Sequence, residues 1–81
     1  MKKILKFSAS WCGPCKALAM TLEGLDLGVE VEDVDIEENS ELAAKFQVRG
    51  VPTLVLLEDG EEVKRQTGAL TAPQLRAFVE A

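Results

Sequence analysis

The sequence predicts an α/β fold with one mixed four-stranded sheet flanked by helices, in the minimal order β-α-β-α-β-β-α. Strand-like and helix-like patterns alternate along the first half of the chain, which is typical of right-handed crossovers between parallel strands. An unbroken apolar run at 53–57 indicates a strand covered on both faces, and Asp59-Gly60 marks a hairpin turn after it. With 81 residues, we expect a single domain spanning 1–81.

The first half of the chain contains two predicted strands separated by a helix. Residues 4–8 form the first strand, a helix begins near Cys12, and a glycine ends it. The second strand covers 29–36, where the apolar pattern changes phase, so we expect the strand to start late or to carry a bulge. The apolar face of the helix is expected to consist of Ala17, Leu18, Met20, Leu22 and Leu25.

The second half adds two helices and the hairpin. Asn39 or Ser40 can cap a short second helix. After the hairpin turn, residues 63–67 form a more polar strand that belongs at the edge of the sheet. Thr71 can cap the last helix, whose inward side chains are Leu75, Phe78 and Val79.

Composition excludes several function classes. The net charge is −5 and there is no histidine, which disfavours nonspecific binding to nucleic acid or to anionic lipid. No apolar run approaches the roughly 20 residues of a membrane helix. The first residues contain lysines and no long apolar stretch, so we interpret them as a strand and not as a signal peptide. We therefore expect a cytoplasmic protein.

The only two cysteines, Cys12 and Cys15, lie where a helix is predicted to begin. A thiol attacks as its thiolate, and the free N–H groups and positive dipole at a helix start favour that anion. Lys16 adds positive charge, and the i, i+3 spacing brings Cys15 beside Cys12. Pro14 fits the first helical turn, and Gly13 allows close approach of a partner. These features predict dithiol–disulfide chemistry.

The roles of the two thiols are assigned from expected exposure. Cys12, at the tip, is predicted to be the exposed nucleophile, and Cys15, one turn into the helix, the buried resolving thiol. Three alternatives remain: a structural disulfide, a zinc half-site and two inert core cysteines. A loop this short contributes little chain entropy, and no further Cys or His completes a zinc site.

On these residues the chain resembles the thioredoxin family over nearly its whole length. Three segments show the resemblance. Residues 7–16 contain Trp11 followed by Cys-Gly-Pro-Cys-Lys, and residues 48–53 contain Val51-Pro52-Thr53. The third segment is the loop Gly68-Ala69-Leu70. The chain is shorter than the usual family plan and similar in size to glutaredoxin. The resemblance implies a thioredoxin-like fold, reduction of protein disulfides, and no cofactor besides the redox-active Cys12–Cys15 disulfide.

The resemblance also implies a substrate-binding groove. The backbone of Val51 would pair with an extended substrate segment, and Pro52 would follow a cis peptide bond and present no N–H to the sulfurs. Trp11, Gly68 and Ala69 would complete an apolar groove. Without the resemblance, the residues alone would favour an ordinary trans peptide bond before Pro52, since cis bonds are uncommon. They would also allow Trp11 to be a buried core residue.

One departure from the family lies in the two strands leading to the site. Where the family has a buried aspartate and a nearby lysine, this sequence has Lys6 and Asp33, exchanged between strands. We expect a buried, reversed ion pair beneath Cys15, with Asp33 assisting proton transfer. The alternative is that Lys6 extends to solvent and Asp33 is a surface residue.

The implied partners are an electron-donating reductase of the thioredoxin reductase type and disulfide-containing target proteins, with ribonucleotide reductase among them. The chain has no Gly-x-Gly-x-x-Gly fingerprint, so a nucleotide or flavin would lie on the partner. We expect a monomer with no nucleic-acid or membrane partner. Two alternative functions are a glutathione-dependent, glutaredoxin-like reductase and a redox-inert binding module.

Overall fold

The computed structural model describes residues 1–80 and contains the predicted seven elements in the predicted order. The strands and helices alternate until the hairpin formed by the last two strands. Their bounds are β1 Lys2–Ser8, α1 Gly13–Glu23, β2 Glu30–Asp35, α2 Ser40–Lys45, β3 Thr53–Glu58, β4 Glu61–Thr67 and α3 Ala72–Val79.

The four strands form one sheet in the order β2-β1-β3-β4. β1 and β2 are parallel neighbours, as the crossover predicts, whereas β3 is antiparallel to both β1 and β4. β3 therefore begins at the end of the sheet where β1 and β2 finish. The more polar β4 lies at the edge, as expected.

The sheet is covered on both faces, because side chains along a strand alternate between them. In β1, Ile4 contributes to the core under α1 and α3, whereas Leu5 and Phe7 contribute to the core under α2. In β3 the successive residues Leu54 and Val55 are fully buried on opposite faces. The unbroken apolar run of this strand thus reflects burial on both sides.

The predicted apolar face of α1 is wrong at Met20. Leu18 is fully buried, whereas Met20 is 74% exposed and Ala17 is also exposed. At about 100° per residue, Met20 points roughly 200° away from Leu18, so the two side chains cannot share a face. The buried residues of the helix are Cys15 and Leu18.

Of the two alternatives expected for β2, the late start is present and the bulge is not. β2 starts at Glu30, one residue later than predicted, and pairs with β1 without a break from Glu30 to Asp35. The register shift occurs instead between β3 and β4: Leu56 pairs with Lys64 and Leu57 pairs with Glu62, which leaves Val63 as an extra residue. The polar, charged edge strand thus carries the bulge.

The hairpin turn and the start of α3 form as predicted, whereas Asn39, the N-cap residue of α2, makes no side-chain capping bond. Asp59 and Gly60 both have positive φ, 52° and 87°, the conformation that a two-residue hairpin turn requires. Thr71 caps α3 through a reciprocal capping box, in which Gln74 N–H donates to Thr71 Oγ1 and Thr71 N–H donates to Gln74 Oε1. Within residues 1–80, no helix has the length and apolar character needed to span a membrane.

Thr71→Ala is expected to lower the free energy of unfolding by about 1 kcal/mol, because it leaves the Gln74 N–H at the start of α3 without its side-chain acceptor. The measurement is urea denaturation. Thr21→Ala is the matched control: Thr21 Oγ1 donates to a carbonyl inside α1 and caps nothing. Because alanine favours helix interiors, the control is expected to be neutral or stabilising, and equal losses in both variants would contradict the capping role.

Candidate active site

Both cysteines lie at the start of α1, directly after the loop that follows β1. Cys12 is the N-cap residue, with extended backbone angles of φ −92° and ψ 111°, and its N–H donates to Ala9 O at 3.2 Å. Cys15 lies in the first turn of the helix. The two are joined in a disulfide with their Cα atoms 5.3 Å apart.

The sulfur of Cys12 serves as the N-cap acceptor. Cys15 N–H donates to Cys12 Sγ at 3.2 Å, a role that a serine or aspartate oxygen usually fills. No acidic residue lies in the first turn of α1, and Pro14 contributes no N–H there. When the disulfide opens, a thiolate on Cys12 keeps this N–H donor and faces the positive end of the helix dipole.

Exposure does not distinguish the two cysteines, contrary to expectation. Cys12 is 5% exposed and Cys15 is 4% exposed. The expected difference is absent because both cysteines belong to one buried cluster with Ala9, against which Ile36 and Val51 pack. What distinguishes Cys12 is its position at the N-cap and its sulfur 3.7 Å from the Val51 carbonyl oxygen.

Ile36 is a site neighbour that the sequence reasoning missed. It follows β2 directly, and its N–H donates to Ser8 O at 3.0 Å, which extends the parallel pairing with β1 beyond the strand. Its side chain then packs against the cluster of Ala9, Cys12 and Cys15. The available signal was topological: a β–α–β crossover places the ends of its two parallel strands side by side.

The loop before β3 contains Val51 and Pro52, which are joined by a cis peptide bond, as the resemblance implied. Within residues 1–80, neither the N–H nor the carbonyl of Val51 has a backbone hydrogen-bond partner. Pro52 O accepts a bond of 2.8 Å from Gly68 N–H, which ties this loop to the one after β4. Val51 thus has backbone groups available for an added strand.

The remaining groove residues lie at the surface around the buried disulfide. Trp11 is 67% exposed, which excludes the core position. Gly68, with φ 105°, has a conformation that few residues other than glycine adopt. Other groove residues at the surface are Gly13, Pro14 and Ala69.

Lys6 and Asp33 form the reversed ion pair, but the pair is not buried. They are directly opposite in the β1–β2 register, with Lys6 Nζ 2.7 Å from Asp33 Oδ1. The side chain of Lys6 is 8% exposed, whereas that of Asp33 is 73% exposed, because β2 is an edge strand and its carboxylate reaches solvent. The expectation of a buried Asp33 is therefore wrong.

The ion pair lies beside α1, the helix that begins at the cysteines. Lys6 and Asp33 line a cleft of about 210 Å³ together with Ala19 and Leu22, which are one and two turns beyond Cys15. The side chains that pack on the disulfide are those of Ala9, Ile36 and Val51. The pair is therefore a neighbour of α1, the helix that carries Cys15.

Metal ligation has no candidate in the part of the chain that the structure describes, since residues 1–80 contain no group of three or more His, Cys, Asp or Glu side chains placed to hold an ion. The chemistry available at the site is that of the two sulfurs. Their polypeptide surroundings are an exposed tryptophan, an open backbone at Val51 and the glycine loop.

Comparisons with known proteins agree with this geometry. The thioredoxin family model matches residues 1–81. Thioredoxin of Bacillus subtilis is 46% identical over 77 residues, which cover 90% of this chain and 74% of that protein. Thioredoxin of Staphylococcus haemolyticus is 43% identical over 70 residues, 82% of this chain and 67% of that protein. The structure of a mutant thioredoxin from Halobacterium salinarum superposes with a TM-score of 0.91 at 40% identity, covering 98% of this chain and 72% of that one.

Proposed function

This chain belongs to the thioredoxin family and is a dithiol protein disulfide reductase, and we propose that Cys12 is its nucleophile and Cys15 its resolving thiol. The observation that carries these roles is the Cys15 N–H bond to Cys12 Sγ. It stabilises a thiolate on Cys12, which also lies beside the open backbone of Val51. The redox centre is the chain's own cysteine pair.

The reaction proceeds in two exchanges. In the dithiol form, the Cys12 thiolate attacks one sulfur of a target disulfide, forming a mixed disulfide and releasing the other target sulfur as a thiolate that takes up a proton. Cys15 then loses its proton and attacks Cys12 Sγ. This forms the Cys12–Cys15 disulfide and releases the second target thiol. In total, two electrons pass from the cysteine pair to the target; its two sulfurs take up two protons, one released by Cys15 and one from solvent, and an electron donor must restore the dithiol.

Substrate docking uses the surface around the sulfurs. We propose that an extended target segment pairs with the N–H and carbonyl of Val51, while Pro52 presents no N–H that would compete for the reacting sulfur. Trp11 supplies exposed apolar area. The absence of side chains at Gly13 and Gly68, and the small side chain of Ala69, allows the target backbone to approach.

The family implies a thioredoxin reductase as electron donor and disulfide-containing proteins as targets. We propose that ribonucleotide reductase is among these targets, and that neither nucleic acid nor membrane is a partner. We further propose that the 81 residues act as a monomeric single domain in the cytoplasm, where thiols are kept reduced and flux favours target reduction. The charged, bulged edge strand β4 supports the monomer, since such edges resist pairing with a second copy.

Lys6 and Asp33 are proposed to influence proton exchange at Cys15. The cleft that they line runs along the same helix and also contains Glu23, so charged groups lie beside the helix that carries Cys15. The charged pair would bias that exchange through its electrostatic field.

Substituting each cysteine separately tests the two roles. Cys15→Ser is expected to form a lasting mixed disulfide with oxidised insulin, since the attacking thiol remains and the resolving thiol is gone. Cys12→Ser is its matched partner and is expected to form none. Nonreducing electrophoresis measures the adduct, and both variants are expected to lose turnover. Accumulation of the adduct in Cys12→Ser alone would indicate that Cys15 is the nucleophile and Cys12 the resolving thiol.

A pair of assays tests the reductase against a glutathione-dependent enzyme. We expect this protein to accelerate insulin reduction by dithiothreitol and to have no activity with hydroxyethyl disulfide in a glutathione-coupled assay. The physical reason is the open Val51 backbone, which suits an extended polypeptide. Activity only in the glutathione-coupled assay would refute the proposed function. No activity in either assay, with Cys12 and Cys15 shown to be free thiols, would indicate a redox-inert binding module.

Lys6→Met tests the proposed proton coupling. The substitution keeps an unbranched side chain in the buried position and removes the charge, so the fold is expected to persist while the pH–rate profile of insulin reduction shifts. Lys3→Met is the matched control, because Lys3 pairs with Glu30 and Glu32 on the opposite face of the same two strands. Identical profiles for wild type and Lys6→Met would eliminate the coupling.

A further inference from the structure

The bulge in β4 places two oppositely charged side chains on the same face of the sheet. In a regular strand, residues three apart point to opposite faces. Because Val63 is an extra residue, Glu62 pairs with Leu57 and Arg65 pairs with Val55, whose side chains share the face covered by α2. The bulge thus brings Glu62 and Arg65 within reach of each other.

Arg65 makes three hydrogen bonds through this arrangement. Its Nε and Nη2 donate to the two carboxylate oxygens of Glu62 at 2.7 and 2.8 Å, and Nη2 also donates to the carbonyl of Phe46 at 2.6 Å. The hydrogen bond from Arg65 lowers the pKa of Glu62, and that to Glu62 raises the pKa of Arg65, so both are charged at neutral pH. We call this three-residue contact the Arg65 clamp.

Phe46 is the C-cap of α2 and the first residue of the loop that contains Val51. The end of this loop, 46–52, is held by two further bonds: Thr53 Oγ1 donates to Gly50 O at 2.6 Å, and Gly68 N–H donates to Pro52 O at 2.8 Å. At the start of the loop, Gln47 N–H and Val48 N–H donate to carbonyls of α2, and the Arg65 clamp adds the attachment to β4. β4 and the residue after it therefore hold both ends.

We propose that Arg65 is a positioning residue for protein substrates, because its clamp on Phe46 fixes the loop whose Val51 backbone receives the target segment. This inference rests on the proposed function and goes one step further, from the groove to what holds it in place. Arg65 touches no sulfur, so the chemistry at Cys12 does not depend on it. A small disulfide that adds no strand at Val51 is therefore insensitive to the clamp.

The test compares Arg65→Met and Arg65→Lys with the matched control Arg76→Met, an exposed arginine of α3, all in the whole chain. KM for insulin is expected to rise about fivefold in Arg65→Met, the effect of losing roughly one net hydrogen bond, with kcat unchanged. Arg65→Lys is expected to raise the KM for insulin by a smaller factor than Arg65→Met, since its ammonium lacks the planar guanidinium that binds Glu62 and Phe46 together. Reduction of dithiobis-nitrobenzoate by the dithiol form is expected to stay at the wild-type rate in every variant.

A second measurement reports on the clamp without activity. Val48 N–H, two residues after Phe46, donates back to Ala43 O of α2 at 2.9 Å. Its hydrogen exchange is expected to quicken in Arg65→Met and not in Arg76→Met. Should Arg65→Met fail to fold, the KM for insulin and the hydrogen exchange of Val48 N–H are measured on Arg65→Lys and Glu62→Gln instead.

The outcomes separate the two proposals. A folded Arg65 variant with wild-type KM for insulin would overturn the clamp, and so would an equal loss with insulin and dithiobis-nitrobenzoate, since that would indicate a changed dithiol. Wild-type protein without insulin activity would reject the proposed function instead. In that case, unchanged exchange at Val48 would reject the clamp as well, and faster exchange would show that it holds the loop.

Discussion

The pairing of β1 with β2 on one side and β3 on the other is the contact on which the site depends. β1 and β2 are parallel, so both finish at the same end of the sheet, and β3 is antiparallel, so it begins there. Three chain segments consequently meet at one place: the loop from β1 to Cys12, Ile36 after β2, and Val51 before β3. Each of these segments directly precedes or follows a strand, so no long connecting loop is needed to bring it to the disulfide.

The sequence was sufficient where a local interaction decides the structure. The hairpin turn depends on two residues that tolerate positive φ, and the start of α3 depends on a hydroxyl followed by a glutamine, so neighbouring residues determine both. The position of the cysteines at the start of α1 follows in the same way from Pro14 and the helical pattern after it. These features need no knowledge of the tertiary fold.

The features that could not be predicted depend on contacts between distant segments. The burial of Cys12 comes from Ile36 and Val51, which reach it only after the sheet has formed. The exposure of Asp33 follows from the place of β2 at the sheet edge, which the residues of β2 do not reveal. Met20 is a different case: the helical period alone separates it from Leu18, so its exposure could have been predicted from the sequence. The β4 bulge depends on its pairing with β3.

Charge is arranged so that the two sheet edges differ. β2 carries four carboxylates, and Lys3 and Lys6 of the neighbouring strand balance part of that charge from opposite faces of the sheet. β4 balances its own charges, because its bulge lets Glu62 and Arg65 meet. An edge with uncompensated like charges or with a bulge resists pairing with another strand. In β4 the same bulge that interrupts the edge also directs Arg65 towards the loop carrying Val51, so protection of the edge and support of the site have one structural cause.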